Sequence, residues 1–245
     1  MKNNYLKENV AANYERERFN TNYKRYKHFA EVESLLEHLQ NNNKPEIIEV
    51  GCGTGRITQE LINRGFSVTP TDVSPAMLSE FAKKKGLPKP VLTKDSILPF
   101  PKNSYKAAVS LRVVWHILNK VEREKFIFEL IRVTSGDIIV DFTNRDRVKN
   151  KFIRLIITIF TRAFPQGYGV YEDTYFFDIR DLGKFLEKKG LKIQKTIPMD
   201  TITPVWLNLL SEKAATNLFP IILKIDRLSA KIIPPTRYLL RISKK

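Results

Sequence analysis

The stretch that decides the fold runs from residue 46 to residue 56 and reads EIIEVGCGTGR. A short apolar segment ending in Glu49 and Val50 meets three glycines at alternate positions, and apolar residues recur at helical spacing from Ile57 onward. This order predicts a buried strand, a tight turn and the start of a helix. Glycine permits a positive φ and lets a ligand approach the backbone, and free N–H groups at a helix start attract anionic or polar groups. The stretch therefore predicts a ligand site at the end of the strand.

The glycine spacing indicates which ligand the turn would bind. The dinucleotide fingerprint G-x-G-x-x-G requires its third glycine where this chain has Arg56. The stretch instead resembles the first motif of the class I S-adenosylmethionine-dependent methyltransferases, [E/D]-x-G-x-G-x-G. The resemblance implies that the turn lies under the methionine part of the cofactor and that the acid lies near its amino group. The residues so implied are Glu49, Gly51, Cys52, Gly53, Thr54 and Gly55.

A second motif follows at the end of the next predicted strand, residues 67–72. Asp72 occupies the position from which a carboxylate can accept hydrogen bonds from a ribose diol. The sequence DVSPAML from Asp72 onward resembles the family pattern D-x-S-x-x-M-[L/I], which implies that Val73 and Met77 pack on the adenine. A third short strand is predicted at 91–96, and the family resemblance places an acid and a small residue there, Asp95 and Ser96, at the adenine amino group.

The fourth strand is predicted at 105–111, after the segment LPFPKNSY, which resembles the family's bridge into that strand. Lys106 stands where the family usually has an acid. No Asn/Asp-Pro-Pro-Tyr sequence follows, which argues against amino-directed methylation of nucleic-acid bases of that family type. The segment LRVVWHI that does follow resembles one lining the methyl-donor pocket, so Leu111 and Arg112 are implied to contact the cofactor.

Two residues are candidate catalytic groups. His116 is a candidate base or substrate contact, and the alternative is a histidine that only packs and hydrogen-bonds within the fold. Tyr14, on a predicted N-terminal helix, matches by type and position a tyrosine that this family often has near the cofactor pocket. The alternative for Tyr14 is a residue that packs the N-terminal segment onto the rest of the chain.

Strands alternate with helices along the whole chain, and this predicts the α/β class. We expect a doubly wound, seven-stranded, mostly parallel sheet, Rossmann-like as in this family, with an antiparallel last strand, an N-terminal helical cap and helical insertions. One methyltransferase domain is expected over residues 1–245. Its expected parts are a cap at 1–42, a cofactor-binding core at 43–142, substrate-side insertions at 143–177 and 198–236, and the last strand at 237–245.

The charge of the chain bears on its partners. Lys and Arg number 42 against 26 Asp and Glu, a formal net charge of +16. The excess is concentrated in residues 143–162 and 201–245. It indicates either a polyanionic partner, RNA or an anionic membrane surface, or simply a basic protein surface. A helix predicted at 220–231 is amphipathic and basic, so it would either lie on a membrane or lipid-like substrate or pack its apolar side into the core.

Composition limits the remaining possibilities. A single cysteine excludes a disulfide framework and a cysteine-ligated zinc or iron–sulfur site, and no metal is expected. The first residues lack the apolar region of a signal peptide, and no apolar run approaches the roughly 18 residues of a membrane span. We therefore expect a cytoplasmic protein, with peripheral membrane contact left open.

The family resemblance implies a transferase that uses S-adenosyl-L-methionine and releases S-adenosyl-L-homocysteine. The expected acceptor is a small or lipid-like molecule. An RNA methyltransferase and a non-catalytic basic binding module on the same fold are the alternatives. A dinucleotide oxidoreductase is disfavoured by Arg56. The sequence does not predict the acceptor, the atom methylated or the oligomeric state.

Overall fold

The computed structural model describes residues 8–39, 44–94, 97–149 and 175–244. Its strands are β1 Ile47–Val50, β2 Val68–Asp72, β3 Val91–Leu92, β4 Tyr105–Ser110, β5 Thr134–Thr143, β6 Leu191–Met199 and β7 Arg237–Lys244. Its α-helices are α1 Glu8–Phe19, α2 Asn22–Leu39, α3 Arg56–Asn63, α4 Pro75–Ala82, α5 Lys120–Val133, α6 Arg145–Lys149, α7 Ile179–Lys188 and α8 Glu212–Ser229.

The strands form one seven-stranded sheet in the order β3-β2-β1-β4-β5-β7-β6. The strands from β3 to β5 run parallel, and β7 pairs antiparallel with both β5 and β6. The order reverses between β1 and β4, because the chain winds first towards β3 and then towards β5. Such a reversal opens a crevice at the carboxyl ends of the strands, where ligands bind in open α/β sheets. The predicted fold class, including the antiparallel last strand, is confirmed.

Both faces of the central strands are buried. Ile48 and Ala108 face one apolar cluster, which includes residues of α5 and α7. Ile47 and Ala107 face a second cluster, to which α2 and α3 contribute. A parallel strand covered on both faces needs apolar residues at successive positions, which is why β1 reads as a continuous apolar run interrupted by Glu49.

The N-terminal helices pack on the sheet as the apolar stripe at Val32, Leu35 and Leu39 predicts. Helix α2 also packs on α8, where the ring of Tyr26 meets the edge of Phe219 with centroids 5.7 Å apart. Helix α1 packs on α2 and α4, whereas α2 and α8 pack on each other and on β6.

The helix predicted at 220–231 differs from the expectation. It begins at Glu212, where the Ser211 side chain accepts a hydrogen bond from the Ala214 N–H and caps it, so Pro220 lies inside the helix. The stripe of Ile221, Ile225 and Leu228 is 55%, 49% and 61% exposed. The expectation that this stripe packs into the core is wrong. The longer helix is instead oriented by its own buried face, formed by Ala215, Phe219, Ile222 and Leu223.

Several expectations lie outside the described residues. Asp95 and Ser96 are not among the described residues, and neither is most of the expected insertion at 143–177. Within the part of the chain that is described, no helix is long and apolar enough to cross a membrane.

Candidate active site

A cavity of about 1210 Å³ opens at the carboxyl ends of β1, β2 and β4. It is larger than the roughly 300–1,000 Å³ typical of a single small-molecule site, so it has room for two ligands. Most of the residues implied by the family resemblance line it. They are Tyr14, Glu49, Gly51, Cys52, Gly53, Thr54, Asp72, Val73, Met77, Leu111, Arg112 and His116. Gly55 is set back behind the turn, where it precedes α3.

The glycine turn forms the floor of this cavity. The N–H groups of Gly51 and Cys52 both donate to the carbonyl of Thr71, at 2.8 and 2.9 Å, and tie the turn to β2. A Cβ added at Gly51 would lie 2.2 Å from the Val113 side chain, so no larger residue fits there. Gly53, with φ of +56°, has open space where its Cβ would be. The open space at Gly53 belongs to the cavity and leaves the backbone accessible to a ligand.

Asp72 joins the turn to the end of β2. One carboxylate oxygen accepts from the Gly53 N–H at 2.7 Å and the other from the Ser74 N–H at 2.8 Å. Burial raises the pKa of Asp72, although these hydrogen bonds oppose the rise. A carboxylate has about four lone-pair sites, so Asp72 retains capacity to accept from the hydroxyl groups of a ligand in the cavity.

Glu49 lies beneath the turn and is almost fully buried. It accepts a hydrogen bond from the Thr58 hydroxyl at 2.6 Å. Burial raises the pKa of Glu49 to about 7. Thr54, in contrast, donates its hydroxyl to Glu15 of α1 at 2.9 Å, and Lys84 pairs with the same carboxylate. Thr54 therefore holds α1 over the turn.

These residues fit the cofactor that the family resemblance implies. Asp72 can accept from a ribose diol, Val73 and Met77 supply an apolar surface beside it, and Gly53 leaves the space that a ligand needs. Glu49 supplies a carboxylate for an amino group. Among the described residues, no group of His, Cys, Asp and Glu side chains could hold a metal ion.

The opposite wall of the cavity is formed by Tyr14, Arg112 and His116. Arg112 has a left-handed backbone with φ of +65°, a conformation that a non-glycine residue rarely adopts. Its N–H donates to Asp141 at 2.7 Å, and its guanidinium lies 5.5 Å from the Trp115 ring centroid. These contacts hold a strained residue at the edge of the cavity.

A buried ionic cluster lies behind this wall. Glu31, only 2% exposed, pairs with Arg56 at 2.7 Å, with Arg112 at 3.0 Å and with Arg237 at 2.8 Å. Arg237 also pairs with Asp141 at 2.8 Å and with Asp200, in the loop after β6. Burial alone would raise the pKa of Glu31, but the arginines hold it well below its ordinary value. The cluster therefore keeps Glu31 ionised and positions Arg56 and Arg112 at the cavity.

Sequence reasoning missed most of this cluster, because its members are scattered from α2 to β7. One signal was available. Asp141 is a charged residue in the otherwise apolar run IIVDF of β5, and a buried carboxylate requires a partner. No comparable signal identifies Glu31 or Arg237, because the residues around each form patterns typical of exposed positions.

The two candidate catalytic residues both line the cavity. Burial would raise the pKa of Tyr14, but the charges of Arg18, Arg112 and Arg56 outweigh this effect and lower it. The His116 ring packs edge-on against Trp115, with centroids 5.8 Å apart. Either side chain is therefore placed to meet a substrate, and their catalytic roles stay predictions.

Comparison with known proteins adds family evidence to this geometry. Residues 47–137 match a family model described as a methyltransferase domain. The ubiquinone biosynthesis O-methyltransferase of Rickettsia canadensis (strain McKiel) is 28% identical over 130 residues, which cover 51% of this chain and 53% of that protein. The chain spans about half the length of the curated relatives it matches.

Solved structures resemble the fold over nearly the whole chain. A protein of Thermotoga maritima, described as an S-adenosylmethionine-dependent methyltransferase and possible histamine N-methyltransferase, superposes with a TM-score of 0.63 at 18% identity and covers 97% of this chain and 98% of its own. The magnesium protoporphyrin IX methyltransferase of Synechocystis PCC 6803, with S-adenosylhomocysteine bound, gives a TM-score of 0.61 at 18% identity over 91% and 86% of the two chains. At such identities the likeness is one of fold.

Proposed function

We propose that this chain, which belongs to the class I S-adenosylmethionine-dependent methyltransferases, transfers the methyl group of that donor to an oxygen atom of a small-molecule acceptor. The observation that carries the proposal is the hydrogen bond from the Gly53 N–H to Asp72. It places a carboxylate beside an open glycine turn at the crevice of the sheet. The curated relative described above is named for O-methylation, and this supports oxygen as the atom that receives the methyl group.

Donor binding is the first step to test. Isothermal titration with S-adenosylhomocysteine should show micromolar affinity, and Asp72→Asn should weaken it roughly ten- to a hundredfold. An asparagine side chain offers one acceptor oxygen where two backbone N–H groups and a ribose need several. Asp181→Asn, at an exposed position on α7, is the matched control and should bind as wild type does. Absence of binding to folded wild type would refute the proposal.

The chain's own contribution to the reaction is alignment and the exclusion of water. S-adenosylmethionine supplies a methyl group already activated on a sulfonium, so a positioned nucleophile is the main requirement. In the transfer, the sulfur–carbon bond breaks, an oxygen–carbon bond forms and the acceptor hydroxyl loses its proton. Tyr14 of helix α1 and the turn at Gly53 line the space in which this alignment would occur.

His116 and Tyr14 are the groups we propose to receive that proton. General-base catalysis contributes typically a factor of about 10²–10⁴. Once an acceptor is known, His116→Gln and Tyr14→Phe should be compared for kcat across pH. The variant that lowers kcat and removes the acidic limb of the profile identifies the base. Unchanged profiles in both would show that the acceptor ionises without help.

We also propose that helix α8 lies on an anionic membrane surface. Ile221, Ile225 and Leu228 form one exposed stripe of the helix. Lys224 and Lys231 are exposed beside it, and the chain as a whole is strongly basic. A basic amphipathic face with large exposed apolar residues matches the surface of an anionic bilayer, where a lipid-like acceptor would also be found.

Vesicle flotation tests this surface. Binding to phosphatidylglycerol vesicles should exceed binding to phosphatidylcholine vesicles and should fall with salt. The double variant Ile225→Gln, Leu228→Gln should weaken it about tenfold or more. Val121→Gln, an equally exposed apolar position on α5, is the control. Equal loss in the control, or binding of RNA or self-association through the stripe instead, would contradict a membrane role.

A further inference from the structure

Among the described residues, cationic side chains outnumber carboxylates where α2 and the end of α1 lie near the carboxyl ends of β4 and β5 and the first residue of β7. Each carboxylate of this region contacts one or more cations and lies close to others. The cations are Arg18, Lys27, Arg56, Arg112 and Arg237, and the carboxylates are Glu31, Asp141 and Asp200. Buried charges are normally balanced, so this imbalance beside a large cavity needs an explanation.

The carboxylates are already occupied by other cations. One oxygen of Glu31 accepts a hydrogen bond from Arg112 and forms an ion pair with Arg237, and the other oxygen pairs with Arg56. Asp141 accepts from the Arg112 N–H with one oxygen and pairs with Arg237 through the other. Both oxygens of each carboxylate therefore already have a partner, and none of these partners is Arg18.

Arg18 is a cation of this region for which the described residues supply no counterion. It is half-buried on α1, with its guanidinium 5.5 Å from the ring centroid of Tyr14, a residue of the cavity wall. In the described parts of the chain it forms no ion pair, and its Nη2 atom is shielded from solvent without a hydrogen-bond acceptor. Since buried donors nearly always find an acceptor, a ligand is the natural source of one here.

Lys27 and Arg18 are repelled by neighbouring cations, and this repulsion contributes to lowering their pKa values. Burial lowers the pKa of Lys27 to about 8, and although Asp200 opposes this, Arg237, Arg112 and Arg18 add to it. Burial and the nearby Arg112 lower the pKa of Arg18 to about 10. These shifts mean that the positive charges are under-compensated, and an added anion would relieve the repulsion.

The order of strands separates this region from the donor's ribose. Asp72 ends β2, on one side of β1 in the sheet, whereas Arg112 follows β4 on the other side. Asp72 and the cationic wall therefore lie on opposite sides of β1, which leaves the wall's part of the cavity for a methyl acceptor.

From the position of Arg18 and Arg112, and resting on the methyl transfer proposed above, we infer that the acceptor is an anionic small molecule bearing a carboxylate or phosphate group. That group binds at the cavity wall beside Arg112, with Arg18 behind it, while the acceptor's hydroxyl faces the donor. The site selects acceptors by charge at a distance from the reacting oxygen, so Arg18 and Arg112 act as specificity-determining residues.

The test uses benzoate and inorganic phosphate as probes for the two kinds of anion. Each is titrated calorimetrically into the full chain, with and without S-adenosylhomocysteine, against chloride at the same ionic strength. The variants are Arg18→Gln, which removes the charge, and Arg18→Lys, which keeps it. Arg16→Gln is the control, because Arg16 is exposed on the same helix and bonds only locally to Asn13 in the described contacts.

We expect one or both anions to bind wild type, and Arg18→Gln to weaken that binding roughly tenfold or more. Arg18→Lys should bind more tightly than Arg18→Gln, and Arg16→Gln should match wild type. The affinity for S-adenosylhomocysteine should stay unchanged in all three variants. Binding of benzoate alone assigns a carboxylate, and binding of phosphate alone assigns a phosphate.

Two results would overturn the inference. One is failure of both anions to bind wild type at millimolar concentration. The other is loss of S-adenosylhomocysteine affinity in Arg18→Gln equal to its loss of anion affinity, because Arg18 would then pair with the carboxylate of the donor. If wild type fails to bind S-adenosylhomocysteine, the proposed methyl transfer fails, while the anion titrations of the ligand-free chain still report on Arg18. Should Arg18→Gln prove unfolded, the comparison of Arg18→Lys with wild type decides.

Discussion

The two sides of the cavity are built in different ways. The donor side comes from residues 49–77, a single βαβ unit in which the turn, the acid and the apolar slot follow one another along the chain. The acceptor side joins α1 and α2 to the ends of β4, β5 and β7, so Glu31 and Arg237 touch although they lie at opposite ends of the sequence. The first side depends on backbone conformation, and the second depends on ion pairs between buried charges.

This difference predicts that the acceptor side contributes far more to folding stability. Glu31→Gln removes the charge that three arginines share, and uncompensated buried charge costs about 3–5 kcal/mol. Urea unfolding should show a loss of that size. Glu33→Gln, a part-exposed neighbour 3.9 Å from Arg64, should change the free energy of unfolding by less than about 0.5 kcal/mol.

The pH dependence of stability gives the same variant a second readout. The pKa of Glu31 is depressed in the folded chain, so its stabilisation is present above the ordinary glutamate pKa and is lost as pH falls towards the folded value. Wild type should therefore lose stability in acid more steeply than Glu31→Gln does. A small effect of Glu31→Gln at neutral pH would mean that the arginines are solvated well enough without it.

The contrast between the donor side and the acceptor side also explains which features the sequence predicted. The bounds of β4, expected at 105–111 and observed at Tyr105–Ser110, follow from local sequence pattern. The residues of the glycine turn and Asp72 were found because short-range backbone geometry leaves a pattern in consecutive residues. Their contacts with a cofactor stay predictions, while their positions around the cavity are seen in the structure.

The features that sequence analysis missed depend on contacts between residues far apart in the chain. The extension of α8 back to Glu212 was missed because Pro220 reads as a helix start, although the buried residues Ala215 and Phe219 carry the helix through it. The ionic cluster was missed because a charged residue on a helix reads as a solvated one until its neighbours from other elements are known. Arg56 was interpreted only as a departure from the dinucleotide pattern, and its pairing with Glu31 required the fold.

On the donor side, substitution of Gly53 should affect ligand binding far more than folding. In Gly53→Ala the added methyl projects into open cavity space, and the left-handed backbone adds about 1–2 kcal/mol of strain. Affinity for S-adenosylhomocysteine should fall roughly tenfold or more. Gly86→Ala has similar φ and equally open space away from the cavity, so it should show the strain without the loss of affinity. Equal binding losses in both would attribute the effect to strain alone.

The smallest expected effect concerns the titration of Glu49 on the donor side. Burial places the pKa of Glu49 near 7 in the ligand-free chain, above its ordinary value. Because an amino group of the ligand pairs only with the ionised carboxylate, affinity for S-adenosylhomocysteine should rise about tenfold between pH 6 and pH 8 as Glu49 loses its proton. Glu49→Gln should remove this dependence and leave only the titration of the ligand itself, while anion binding at Arg18 stays unchanged. If the pH dependence persists in Glu49→Gln, a group on the acceptor side such as Lys27 is coupled to donor binding, and the two sides are not independent.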